Sequence, residues 1–533
     1  MKAHDFVGTW PLISLAARRD RIKLPAWILG ISLFVWIATG VNDHFSAEEM
    51  AAIVTLAAEN PAMRMLVSPI RADAVTEVSR FVFFRFSFVF SMLAAVMSIQ
   101  TVTRHTRRNE ETGCAEMTGS SVAGRYAGLA AAIVVGVAAN IALAVLMGFA
   151  LIAHGLPVGG SLAAGASFGG LGIVFTGVSA LAAQLSGTGS GANGIGGIAF
   201  GAAFAVNGAA NALGPINRGG MGFQSSPLAW LSPMGWTQRF YPFDDQNWWI
   251  LVLFLALFTV LTVGAFVLVG RRDVGRGVLA DRPGRARAPR WMMSPFGVAW
   301  RLQRATLMWW AFPFLFMGVM LGASAESLGE TMGDTEFFGG AFSRAMAEFP
   351  FLVIGVAAMA ASIYATKTLL RMRAEEIGPL ENLLATPLKR TVFMVSHTLC
   401  GLAGSLSLVL LFGMAQMAAM RGSVSGFTNA AAAAAFQTVG VFLLSGFVLA
   451  VFGLVPKAAA PVSFAVVLLA IAVGPFFGAA LNLPRWLMNA SPFSHIAYMP
   501  HEVSGASIAV LLSLSLLLAG IGFAGFARRD LAP

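Results

Sequence analysis

The chain has 533 residues, of which 57% are hydrophobic and only 11% charged, with a formal net charge of +10. Soluble chains carry about a quarter charged residues, so an ordinary soluble protein is excluded. A mean hydropathy of +0.75 and apolar runs near the ~20 residues that cross a bilayer core point to an all-α polytopic membrane protein. Continuous apolar runs such as 250–269 exclude an outer-membrane barrel, whose strands alternate over ~10 residues.

The first 23 residues end in Arg18, Arg19, Arg21 and Lys23, directly before the first apolar run. That pattern reads as a retained cytoplasmic end rather than a removable leader. Twelve spans follow in chain order, at 24–41, 81–103, 126–152, 166–185, 194–214, 248–270, 307–323, 349–370, 392–420, 432–455, 461–481 and 506–527. Those at 166–185 and 194–214 are Gly-rich, as suits close helix contact. The stretches Phe6–Arg21 and Phe296–Leu307 each hold Trp and are amphipathic, which predicts helices lying in the membrane interface.

Half the chain repeats the other half. Residues 101–125 align without a gap to 366–390, an offset of 265, with 8 identities in 25 positions. Both copies carry E-E-x-G-x-x-E in a charged loop: Glu110, Glu111, Gly113 and Glu116, then Glu375, Glu376, Gly378 and Glu381. Ser232-Pro233 before the sixth span is matched by Ser491-Pro492 before the twelfth. Arg271-Arg272-Asp273 after the sixth is matched by Arg528-Arg529-Asp530. Six spans per half is an even number, so the halves are parallel repeats about the membrane normal. The expected division is a first half over 1–270, a basic linker over 271–295 rich in Arg, Pro and Gly, and a second half over 296–533.

Charge sets the expected orientation. The side holding both ends, the two acidic loops and the linker sums to +15, and the other side to about −6. Basic loops stay cytoplasmic, which places both termini in the cytoplasm. Topology thus accounts for the basic excess, and no basic stretch with interleaved aromatics suggests nucleic-acid binding.

Glu110 and Glu116, or Glu375 and Glu381, lie at i and i+6, which predicts a negative face on one short helix, flanked by Arg108 and Arg125 or Arg373 and Arg390 that can anchor it at the headgroups. Glu375, Glu376 and Glu381 are expected to face solvent until a soluble partner docks. Two such loops suit a protein pushed at two equivalent points. No G-x-x-x-x-G-K-[ST] occurs, and the segment Gly187–Gly194 lacks the lysine. The chain therefore binds no ATP itself. Cys114 and Cys400 form no disulfide or metal pattern, and no catalytic constellation emerges. Arg85 stands inside a span, where a charge suggests a functional site or a side chain that snorkels to the interface. Phe84, Arg85, Phe88, Asn207 and Asn211 are the expected substrate-pathway residues, although intramembrane amides such as Asn140, Gln184, Gln416 and Gln437 also serve to tie helices together.

The paired acidic loops, the Ser-Pro before each last span and the terminal Arg-Arg-Asp resemble type-2 ABC exporter permeases. The segment Leu231-Ser232-Pro233-Met234-Gly235-Trp236-Thr237-Gln238, with Tyr241-Pro242-Phe243, Trp248-Trp249 and Ala183-Gln184-Leu185, resembles the fused twelve-span permeases of tetronasin-type polyketide-antibiotic exporters. The resemblance implies two fused half-permeases and two copies of a separate ATPase that binds ATP and Mg2+. It also implies a hydrophobic or amphiphilic substrate, a bacterial plasma-membrane location, and acidic loops that form coupling helices. The first loop departs from the pattern, with Ser121-Val122-Ala123 where the second has Thr386-Pro387-Leu388. An ion-coupled secondary carrier and a non-transporting membrane scaffold remain the alternatives. The carrier reading lacks the intramembrane carboxylate it would need.

Overall fold

The structure, a computed structural model, describes residues 3–42, 45–71, 77–119, 123–217, 221–273, 275–279, 287, 289–333, 340–377, 388–480 and 483–529. The chain divides into two compact units, Met1–Gly284 and Arg285–Pro533. Among the described residues the only β pairing is two isolated bridges, Ile70 to Phe223 and Ile216 to Phe223.

In unit 1, α1 (Thr9–Arg19) precedes the first long helix, α2 (Lys23–Asn42). Two short helices follow, α3 (Ala47–Glu59) and α4 (Pro61–Leu66). The Ser46 hydroxyl accepts from the Glu49 amide while the Glu49 carboxylate accepts from the Ser46 amide, a capping box that starts α3. Then come α5 (Val78–His105), α6 (Arg107–Glu111), α7 (Cys114–Gly119), α8 (Ala127–Ala153), α9 (Val158–Leu185), α10 (Gly189–Ala212), α11 (Pro233–Arg239) and α12 (Ile250–Val269). The Gly-rich α9 is the central helix, packed on α5, α8, α10 and α12. Its glycines are the reason. A Cβ on Gly165 would stand 2.1 Å from the Ala144 carbonyl oxygen, and one on Gly172 would overlap the Asn140 amide, so α8 and α9 touch backbone to backbone.

Unit 2 holds α13 (Pro295–Gly333), α14 (Gly340–Leu369), α15 (Arg371–Ile377), α16 (Arg390–Ala419), α17 (Val424–Leu454), α18 (Ala459–Ala472), α19 (Pro475–Ala480), α20 (Arg485–Met488) and α21 (Gly505–Arg528). α13 lies along α16, and α17 lies along α21. The core is built on α14, α16 and α17 around Ile354, Tyr364, Leu408 and Phe412.

Among the described residues, eleven helices are long and apolar enough to cross a membrane. The expected span 461–481 is instead split. α18 has 14 residues, about 21 Å at 1.5 Å per residue, short of a ~30 Å hydrocarbon core. It stops at Gly474-Pro475, because proline cannot extend the ladder of the preceding turn. The expected interfacial helix Phe296–Leu307 is also not separate. It runs into the following span as the single helix α13, with Pro313 inside it.

The Ser-Pro motif has the same function in both units. In unit 1 the Ser232 hydroxyl accepts from the Met234 amide, and Pro233 occupies the first turn of α11. The same hydroxyl donates to the Ala203 carbonyl of α10 at 2.6 Å. In unit 2 the Ser491 hydroxyl donates to the Ala470 carbonyl of α18 at 2.8 Å. Each motif pins the segment before the last span to the helix of the fifth.

Candidate functional site: two clamped acidic loops

The first acidic loop begins where α5 bends at Thr106 (φ −112°, ψ −91°) into α6. Gly113, at φ +72° in the left-handed region, separates α6 from α7. Glu110 and Glu116 therefore sit on two short helices, not on one face of a single helix as expected. Glu110 turns inward. The Arg107 guanidinium, fully buried, donates to it at 2.8 Å. Arg272 grips both its oxygens, at 2.6 and 2.9 Å, and the Gly275 amide adds a bond at 2.9 Å. Glu111 accepts from the Gly189 amide at 2.8 Å and so ties the loop to the start of α10. Glu116 and its neighbour Met117 remain exposed, Met117 at 77%.

Unit 2 repeats the arrangement. Glu376, its side chain fully buried, takes both guanidinium nitrogens of Arg529, the second bond at 3.0 Å. Arg373 pairs with it at 3.1 Å. Arg529 also lies over the Phe452 and Phe526 rings, at 5.2 and 5.1 Å. Glu375 pairs with Arg371 at 3.4 Å. The expectation that Glu375 and Glu376 face solvent is corrected here: each carboxylate is paired with a guanidinium of its own unit, and Glu376 is buried. Gly378 and Glu381, with Thr386 and Pro387, lie outside the described residues, as do Ser121 and Val122 of the first loop.

Two motifs separated by roughly half of each unit thus form one device. The second Arg of Arg-Arg-Asp clamps one Glu of Glu-Glu, and an Arg three residues before that Glu clamps it again. The flanking arginines close the circuit. Arg125 donates to the Arg272 carbonyl at 3.1 Å, and Arg390 donates to the Arg529 carbonyl at 2.8 Å. Bidentate Arg–carboxylate pairs fix orientation as well as distance. Exposed ion pairs contribute about 0–1 kcal/mol, whereas breaking a buried one costs about 3–5 kcal/mol. With Glu110 and Arg272 only 12% and 9% exposed, both clamps belong to the second regime. Each clamp ties its loop to the residues that follow the last span of its unit.

Other contacts brace the first loop. Arg107 donates to the Ala183 carbonyl from two nitrogens, at 3.0 and 2.6 Å. The Arg272 Nε donates to Gln184 at 2.7 Å. Asp20, buried at the joint between α1 and α2, binds His105 and pairs with Arg104 at 3.0 Å. Sequence reasoning missed Arg107, Asp20 and His105, because a lone charge in a charged loop carries no periodic signal.

The five expected pathway residues lie on α5 (Phe84, Arg85 and Phe88) and α10 (Asn207 and Asn211). Phe84 is buried and stacks on Phe81 in a cluster with Met50, Val54 and Phe223. Arg85 donates to Asn42 at 3.0 Å and lies over Phe45, Phe81 and Phe86. Phe88 faces Phe200 and Phe204 of α10. Asn211 is used inside the unit, donating to the Val67 carbonyl and to Gln238. Asn207 is buried, and neither its amide oxygen nor its amide nitrogen finds a hydrogen-bond partner.

Two units of long apolar helices, each with a clamped acidic loop, define a polytopic helical membrane protein. A family model described as "Multidrug efflux system permease Rv1217c, C-terminal domain" matches residues 292–527. The multidrug efflux system permease protein Rv1217c of Mycobacterium tuberculosis strain H37Rv is 36% identical over 550 residues, covering 99% of this chain and 96% of that protein. The chain belongs to this family of efflux-system permeases.

Proposed function

We propose that this chain is the membrane-spanning permease of an ATP-driven exporter of the type-2 ABC kind. It works with two copies of a separate ATPase subunit that binds ATP and Mg2+, and it lies in a bacterial plasma membrane with both termini cytoplasmic. Its cargo is a hydrophobic or amphiphilic small molecule, such as an antibiotic or a lipid-like compound. The relative named for multidrug efflux supports the cargo class.

The observation that carries the reading is the duplicated clamp. A loop that merely turns the chain does not need a carboxylate locked by two guanidiniums to the end of a span, least of all twice. A rigid loop tied to its bundle converts a push from a partner into movement of the helices. In the first loop Glu116 and Met117 form part of the surface exposed to that partner, whereas Glu110 is occupied inside the unit.

The test replaces Glu116 with Arg in the full chain. Fold and membrane level should hold, because Glu116 is exposed and such substitutions usually stay within about 0.5 kcal/mol. Co-purification of the ATPase from native membranes and drug efflux should both fall. Unchanged efflux with an unchanged complex would reject this face as the docking point.

A further inference from the structure

Beneath the first acidic loop lies a cavity of about 1050 Å³ that the clamp leaves open. Its walls come from α1, the end of α5, the start of α8, the end of α12 and the loop itself. The helices α5, α8 and α12 are each long and apolar enough to cross a membrane. A space at their ends lies at the depth of the lipid headgroups.

The lining is divided by chemistry. Leu12, Leu129, Ala132 and Val269 form an apolar wall. Arg19 and Arg125 line the polar part, and both are exposed. Arg19 gives one guanidinium nitrogen to Asn109 at 2.8 Å, and Arg125 gives one to the Arg272 carbonyl at 3.1 Å. Each retains further N–H donors. Glu110 and Arg272 also line the cavity but neutralise one another. Asp273 contributes one carboxylate against the two arginines.

We propose that this cavity binds an anionic phospholipid, with its phosphate between Arg19 and Arg125 and its acyl chains along the apolar wall. The arginine fork matches phosphate oxygens pairwise, and basic pockets between span ends suit acidic headgroups. The volume is at the upper end of the range for small-molecule sites and far exceeds the ~30 Å³ share of one water. The bound lipid bridges α1 to the start of α8 and so braces the first loop. This inference stands whether or not the transport reading holds.

Gly128 supplies the decisive variant. It lines the cavity, and a Cβ built on it meets nothing within 4 Å. Gly128→Leu therefore projects a side chain into the space beside the apolar wall, keeps both arginines, and favours the helix. The full chain is placed in nanodiscs of equal phosphatidylglycerol and phosphatidylcholine, and the lipids that it carries out are weighed by native mass spectrometry. Wild type should retain phosphatidylglycerol selectively. The double variant Arg19→Gln, Arg125→Gln should retain roughly tenfold less, equivalent to about 1.4 kcal/mol, and Gly128→Leu should retain less as well. Equal retention of the two lipids by wild type, or full phosphatidylglycerol retention by a monodisperse Gly128→Leu protein, would overturn the proposal. So would a non-lipid amphiphile held in that place when the protein is taken from its native membrane.

Discussion

Removing Arg529 would leave Glu376 buried with only Arg373 beside it. Arg529→Gln should therefore destabilise unit 2 by about 3 kcal/mol, whereas Arg528→Gln, at an exposed position, should change stability by no more than about 0.5 kcal/mol. Thermal unfolding of the detergent-purified chain checks the comparison, and equal shifts for the two would mean that the clamp contributes little. By the same argument, replacing Glu375 and Glu376 costs fold stability, which replacing a solvent-facing pair would not. Both motifs were legible in the sequence as repeats. Their union was not, because the partners lie 162 residues apart in unit 1 and 153 in unit 2. Nor does the gapless alignment pair the working residues. Glu110 is the first Glu of its pair and Glu376 the second, so the two units reach one geometry from registers that differ by a residue.

At the scale of the element, α9 shows what small residues do when a helix is buried on every side. Gly169→Leu should push α8 away, since a Cβ there already stands 2.7 Å from the Ala144 Cβ and 3.0 Å from the Asn140 carbonyl oxygen. Overpacking of this kind costs about 1–3 kcal/mol or more. Gly201→Leu on α10, where a Cβ meets nothing within 4 Å, should be tolerated, and membrane-inserted protein levels separate the two cases. Equal tolerance would mean that the α8–α9 contact adapts. Apolar runs made most spans readable, and the Gly-rich run of α9 correctly suggested close packing, whereas Gly197 and Gly201 of α10 face open space. The split of the eleventh span had a visible signal in Gly474-Pro475, outweighed by the apolar residues around it. The fusion of 296–307 into α13 had none, because amphipathic periodicity does not say where a helix stops.

At the scale of the whole molecule, charge asymmetry is the ground for the proposed orientation. A cysteine at Gly160 would not report on it, because a Cβ there collides with Phe243. Val158, 57% exposed, serves for that loop. With Cys114 and Cys400 replaced, Val158→Cys should be labelled by an impermeant reagent outside intact cells and Arg290→Cys should not. The reverse pattern would invert the topology and place the acidic loops beyond the reach of a cytoplasmic ATPase.

The measurement that bears most directly on the central claim is the energy source for efflux. Everted membrane vesicles from the native cell, with and without this chain, are loaded with a fluorescent hydrophobic drug analogue and energised by Mg-ATP or by a proton gradient. Chain-dependent transport should need ATP, stop with vanadate, and persist when an uncoupler collapses the gradient. Transport driven by the gradient without ATP would contradict the account and make the chain an ion-coupled carrier.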